Sequence, residues 1–187
     1  MPRIVVGVSG ASGMPLIFAV LRALAEVPKL EVHLMVSPGA RSVLHAEGAI
    51  REEELHACAR HVYDPADMAA GPASGSWQHD GMLVCPCSMS TLACIALGTG
   101  QNLLHRVADV CLKERRPLVL SPRETPLSLI HLKNMQRLCE AGGIVMPFCP
   151  AFYIGQYDLS AQARHFAGRV LDQMGIENNL CQRWAGG

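Results

Sequence analysis

Apolar residues in this chain form short unbroken runs, and between the runs they recur every three or four positions. The runs "RIVVGVS" (3–9), "LEVHLMVS" (30–37), "HVYD" (61–64), "MLVCP" (82–86), "PLVLSP" (117–122) and "GIVMP" (143–147) predict strands buried on both faces. The spaced pattern predicts helices over 14–27, 39–48, 50–60, 88–97, 101–115, 127–142 and 159–175. A Gly/Pro/Ser-rich segment at 69–81 predicts a loop, and neither an internal repeat nor a linker divides the chain. Strand followed by helix, repeated, specifies an α/β fold. Its sheet is open and parallel, with helices on both faces and the strand-to-helix loops gathered at the carboxyl edge.

At 187 residues the chain suits one domain spanning 1–187. Half of it is apolar and only 17% is charged, a low charge load that predicts surface covered by other copies of the chain. Sixteen basic residues balance sixteen acidic ones, so no overall field favours nucleic acid or an anionic membrane. No apolar run approaches the ~20 residues of a membrane span, and the first residues lead straight into a strand with no leader pattern; a cytoplasmic protein is expected. The eight cysteines are irregularly spaced in apolar contexts and read as reduced core thiols. Cys85 and Cys87 are one residue apart with no matching second pair, which argues against a metal site.

The stretch "GVSGASGMP" (7–15) joins the first strand to the first helix, where free N–H groups and the helix dipole converge on an anion. Its spacing is G-x-x-G-x-x-G, not the dinucleotide fingerprint, and the next strand ends in Met35-Val36-Ser37 with no acidic residue for a ribose. Hydroxyls at Ser9, Ser12 and Ser37 suit a mononucleotide better, with tight-turn and capping roles as the alternative. A second small-residue loop, "PCSMST" (86–91), puts Ser88, Met89, Ser90 and Thr91 at another helix start on the same edge. Lys113, Arg115 and Arg116 precede the strand at 117–122, and Arg123-Glu124 follow it between two prolines. The two ends of that strand lie ~17–20 Å apart, so they share a site only if loops or neighbouring chains bring them together.

Five segments, "GVSGASG", "PCSMSTLA", "RVADVCLKERRPLVLSPRETPLSLIHLKNM", "GGIVMPFCPAFY" and "RVLDQMGI", closely resemble the UbiX-type flavin prenyltransferases in order and spacing, from about residue 3 to Trp184. That family includes proteins long labelled phenylacrylic acid decarboxylases. The resemblance implies a flavodoxin-like Rossmann fold, a homo-dodecamer, and flavin held between subunits of a trimer. It implies metal-independent transfer of a dimethylallyl group, from dimethylallyl monophosphate or diphosphate, to N5 and C6 of reduced FMN. The prenylated FMN then passes to a UbiD-type decarboxylase. Position by position, Gly10, Ala11 and Ser12 match the first FMN loop, with Ser12 near N5; Ser37, Ser88, Met89, Ser90, Thr91 and Arg123 match the other flavin contacts. Glu47, Arg106, Lys113, Glu124, Tyr153 and Arg169 match the surroundings of the prenyl phosphate.

Each assignment has a chemical reason. Departure of phosphate from an allylic carbon places charge on the leaving oxygens, which Lys113, Arg169 and the Tyr153 hydroxyl can stabilise in place of magnesium. Closing the second bond requires loss of a ring proton, and Glu124 is the expected proton shuttle, with Glu47 orienting the network. Trp77 in the 69–81 loop offers a π face to a cationic prenyl group, or packs on the surface. The chain departs from the family's pattern in "IGQYD" after Tyr153, where many members carry His-Arg-Pro or His-Gln-Pro, and at Val107 and Met14-Pro15. Two other classes share the fold, the FMN-dependent cysteine decarboxylases and non-catalytic FMN carriers. The first carries a "PxMNxxMW"-like segment absent here, and the second has no use for Lys113, Glu124 and Arg169.

Overall fold

The computed structural model describes residues 1–181 and Arg183; Trp184, where the family resemblance ends, lies outside the described residues. Six parallel strands form one sheet: β1 (Arg3–Val8), β2 (Glu31–Val36), β3 (His61–Tyr63), β4 (Met82–Cys87), β5 (Leu118–Pro122) and β6 (Ile144–Val145). Their order is β3-β2-β1-β4-β5-β6. With the three-residue edge strand β3 set aside, this is the flavodoxin-like 2-1-3-4-5 order, and the reversal falls between β1 and β4. Ligands of open α/β sheets bind at that reversal, beyond the carboxyl ends of the strands.

The helices are α1 (Met14–Ala25), α2 (Pro38–Glu47), α3 (Glu52–His56), α4 (Met89–Leu97), α5 (Leu103–Glu114), α6 (Leu129–Glu140) and α7 (Leu159–Gln173). Alternation along the strands divides the core in two. Ile4, Val6, Val8, Leu83, Cys85 and Val119 pack against α1 and α7, while Val5, Met82, Val84, Leu118 and Leu120 pack against α4, α5 and α6. Gly7 belongs to this second layer: a Cβ there would stand 2.8 Å from the Leu104 side chain, so the glycine lets α5 settle onto the sheet.

Two elements are shorter than their patterns predict. The helix expected over 50–60 is the single turn and a half of α3, because Leu55 is its one buried residue and packing gives little to extend it. The strand expected over 143–147 forms ladder pairs only at Ile144 and Val145. The thiol reading also needs correction: Cys85, Cys87, Cys111 and Cys181 are buried, Cys58 and Cys94 half-buried, and Cys139 and Cys149 exposed. All eight are free, and burial pushes the Cys85 thiol up to about 12 and Cys87 further still. Leu129, Ile130 and Leu132 on α6, and Phe152 and Tyr157 after β6, are large apolar side chains left exposed. Among the described residues no helix is long and apolar enough to cross a membrane.

Candidate active site

Three loops meet at the carboxyl edge beside the strand-order reversal, and named hydrogen bonds hold them together. Ser9, buried at the end of β1, donates its hydroxyl to Pro86 O (3.1 Å) and accepts from Ser88 N–H (2.8 Å). It ties the first loop to the second and is not a ligand hydroxyl. Arg123 extends from the end of β5 and donates Nε–H to the Ser12 carbonyl (3.3 Å). Thus Ser12, Ser88 and Arg123, which are distant in the chain, share one surface.

The first loop is held differently from the phosphate cradle its composition predicts. Gly13 begins α1 without a side chain to cap it, and the cap comes from the last residue of α2. Glu47 accepts from Gly13 N–H through Oε1 (2.8 Å) and from Met14 N–H through Oε2 (3.0 Å). Ala11 N–H is bonded to Ser9 O (2.8 Å). The positive end of α1 therefore already faces a carboxylate, whose charge opposes a phosphate there. Gly10 allows α2 to approach: a Cβ on it would meet the Gly39 backbone at 3.0–3.2 Å.

At the second loop, Ser88 caps α4 by accepting from Thr91 N–H (3.2 Å) and donates to Thr91 Oγ1 (3.1 Å). It does not engage the N–H groups of Met89 and Ser90, which stay at the helix start as donors for an anion or a ring oxygen. Ser37 caps α2 by accepting from Ala40 N–H (3.1 Å) and keeps its own proton for donation. This donor set fits FMN, whose ring carbonyls, ring nitrogens and phosphate need many N–H and O–H donors and one cation. Glu124 is exposed beside it and accepts from its neighbour Thr125 N–H (3.0 Å).

Other residues expected near the prenyl phosphate lie elsewhere in the single chain. Arg106 donates Nε–H to Ala73 O (3.0 Å) and pairs with Asp109 (2.6 Å). Lys113 ends α5 in an ion pair with Glu114, next to the loop that Arg116 pins by donating to Gly75 O (2.6 Å) and Trp77 O (3.0 Å). That loop wraps the amino edge of the sheet. Lys113 and Arg123 flank β5, so the length of the five-residue strand, ~17 Å, separates them. Trp77 lies under Arg3 (5.0 Å) with its ring edge-on to His33 (4.9 Å), so within one chain it packs at the amino edge, the same edge as Lys113.

Tyr153 and Arg169 form a third group. Tyr153 sits in a short 3-10 turn, Phe152–Ile154, and its hydroxyl is 3.2 Å from His165 Nε2 on α7. Arg169, one turn further along α7, donates to Asp172 (2.8 Å). Asp172 also accepts two bonds from Arg183 (2.6 and 2.8 Å) and one from Asn178 (3.0 Å). Tyr153 and Arg169 were expected from the sequence, while Gln162, His165 and Asp172 escaped it, although Gln162 and His165 interrupt an otherwise apolar helix face, a signal of polar groups with buried partners.

Arg183 above all, then Asn178, holds the Asp172 carboxyl below its usual range, against the opposing effect of burial. A group depressed in the folded state stabilises it above the unfolded value, near pH ~4, and ceases to do so as pH falls through the folded value. Asp172→Asn is therefore expected to cost on the order of 1 kcal/mol at neutral pH, given half-exposed arginine partners, with the difference closing below pH ~4. Thermal melts of both proteins across pH check this; a gap that widens in acid is the contrary result.

Comparison with known proteins agrees with this geometry. The family model described as Flavoprotein matches residues 1–164. A probable UbiX-like flavin prenyltransferase of Escherichia coli O157:H7 is 45% identical over 184 residues, 98% of this chain and 93% of that protein. The solved dodecameric FMN-dependent UbiX-like decarboxylase of the same organism superposes with a TM-score of 0.94 at 45% identity, covering 98% of this chain and 100% of that one. AnUbiX (PadA1), solved in complex with FMN and dimethylallyl pyrophosphate, gives a TM-score of 0.95 at 43% identity, covering 100% of this chain and 98% of that one. The chain belongs to the flavoprotein family and, within it, to the UbiX-like flavin prenyltransferases.

Proposed function

We propose that this chain joins the dimethylallyl group of dimethylallyl monophosphate or diphosphate to N5 and C6 of reduced FMN, and that the prenylated FMN is passed to a UbiD-type decarboxylase. The observation that carries this reading is the convergence of Ser12, the 88–91 helix start and Arg123-Glu124 on one surface at the strand-order reversal. Reduced FMN supplies the electron-rich ring atoms that accept the prenyl carbon.

The chain's residues do the rest. Gly10, Ala11, Ser12, Ser37, the 88–91 segment and Arg123 bind and orient the ring and its phosphate, so that the prenyl C1 is held at reacting distance. Arg106, Lys113, Arg169 and the Tyr153 hydroxyl bind the prenyl phosphate and stabilise charge on its departing oxygens, the work a metal does in other prenyl transfers. Closing the second bond adds a proton to the prenyl alkene and releases the ring proton from C6, and Glu124 carries this proton exchange. Glu47 holds the first loop in shape through the start of α1. Because Lys113 and Arg123 are a strand length apart, the complete site draws on two chains. A homo-oligomer is part of the mechanism, and a dodecamer in the cytoplasm is the assembly proposed.

The test is direct. Purified protein incubated anaerobically with reduced FMN and dimethylallyl monophosphate is expected to yield a flavin heavier by one C5 unit in mass spectrometry. No added mass with either the mono- or the diphosphate would overturn the reading.

A further inference from the structure

Residues 73–77 are held against α5 by two arginines that take alternate carbonyls. Arg106 donates to Ala73 O (3.0 Å), and the two terminal nitrogens of Arg116 donate to Gly75 O (2.6 Å) and Trp77 O (3.0 Å). Ala73, Gly75 and Trp77 are half-buried, whereas Ser74 and Ser76 are exposed with their hydroxyls bonded to each other (2.9 Å). Trp77, packed under Arg3 and edge-on to His33, anchors the far end of the segment. The grip of Arg116 starts from a fixed point. α5 ends at Arg115, whose left-handed backbone (φ 58°) turns the chain out of the helix, and Arg116 N–H closes that turn on Cys111 O (2.9 Å).

Gly75 is where this segment meets Lys113. A Cβ on Gly75 would stand 2.6 Å from Lys113 Nζ and would also collide with Glu114 Oε1, the partner of that ammonium group. The ion pair therefore rests against the bare Cα of Gly75, and the segment walls one side of the lysine head. Lys113 and Glu114 are exposed ends of flexible side chains, whereas the Gly75 carbonyl is fixed by one arm of a planar fork whose other arm is fixed at Trp77. Of the two sides of this contact, the backbone is the rigid one and the lysine head conforms to it.

We propose that Arg116 is a positioning residue for Lys113: by fixing the carbonyls of Gly75 and Trp77 it holds the Gly75 backbone against the lysine head, and so sets where that charge meets the departing phosphate. The inference rests on the proposed prenyl transfer and adds to it a residue that acts through another.

The test measures prenyl transfer by the full-length protein with reduced FMN over a range of dimethylallyl monophosphate concentrations. Arg116→Gln is expected to lower kcat about 10- to 100-fold, the scale of misplacing a catalytic group by about 1 Å, with FMN affinity unchanged. KM is expected to rise by a smaller factor than kcat falls, because the lysine charge counts most on the oxygens of the departing group. Arg116→Lys, a point charge that reaches one carbonyl, is expected to recover part of the loss. Gly75→Ala leaves Arg116 in place and displaces the lysine head directly, with a comparable fall in kcat expected. In a Lys113→Met background each of these changes is expected to add less than about threefold, because they act through the lysine. Should Arg116→Gln fail to fold, Arg116→Lys and Gly75→Ala carry the same comparison. Unchanged kcat in the Arg116 variants, or a loss of equal size in the Lys113→Met background, would overturn the proposal while the wild type still prenylates FMN. A wild type that does not prenylate FMN overturns the functional reading itself, and this inference with it.

Discussion

Co-expressing Lys113→Met chains with Glu124→Gln chains is expected to restore prenyl transfer to about a quarter of the wild-type rate, although each variant alone is nearly inactive. Removing the Lys113 charge from the departing phosphate is expected to lower turnover about 10²- to 10³-fold. Removing the Glu124 proton shuttle is expected to lower it by at least about 10²-fold. In a single chain Lys113 lies before β5 and Glu124 just after it, so a site using both takes them from different chains. With random assembly of equal amounts, half the sites receive an intact Lys113 and half of those an intact Glu124, leaving about one site in four complete. If one chain supplied both groups, every site would carry a lesion and mixing would recover nothing. The rate of FMN prenylation by the mixture, set against each variant alone, decides between the two.

Glu47→Ala is expected to weaken FMN binding about tenfold and to destabilise the protein by about 1–2 kcal/mol, the usual cost of losing an N-terminal helix cap. Its carboxylate is the cap of α1, taking the N–H groups of Gly13 and Met14 from across a gap of more than thirty residues. Without it the loop bearing Gly10, Ala11 and Ser12 loses its anchor to α2. Were the FMN phosphate bound at the start of α1, the opposite result would follow, since removing a negative charge there would tighten FMN binding. Fluorescence titration of FMN into the variant, with a chemical denaturation curve alongside, separates these outcomes.

The strand-helix alternation was legible because strands of a parallel sheet are buried on both faces and read as unbroken apolar runs, β1 "RIVVGV" being the clearest. Boundaries were less legible where packing, not pattern, sets the length. The residues 50–60 have helical spacing, but Leu55 is the one buried residue of α3, and the buried Ile50 lies ahead of its start, so packing gives the helix little to extend along. In the site, the two serine loops and Arg123-Glu124 could be placed on one edge, since the chain direction of a parallel sheet puts every strand-to-helix loop there. What each hydroxyl or carboxylate does there was not legible. Ser9 reads like Ser12 and Ser37 as a candidate ligand, yet it is buried and bonded to both Pro86 and Ser88.

The sequence by itself determined the fold class, the edge on which the loops gather and, through the blocks "GVSGASG" and "LKERRPLVLSPRETP", the family. All of these depend on periodicity or on the local order of residues. Only the tertiary structure decided the partners: Glu47 on the start of α1, Ser9 between two loops and His165 beneath Tyr153. A hydrogen bond forms within about 3 Å whatever the separation along the chain, and no local pattern encodes a contact 34 or 79 residues away. The loop "GVSGASGMP" shows the difference: its glycines and serines announce an anion site, and folding places a carboxylate of the protein itself at the helix start.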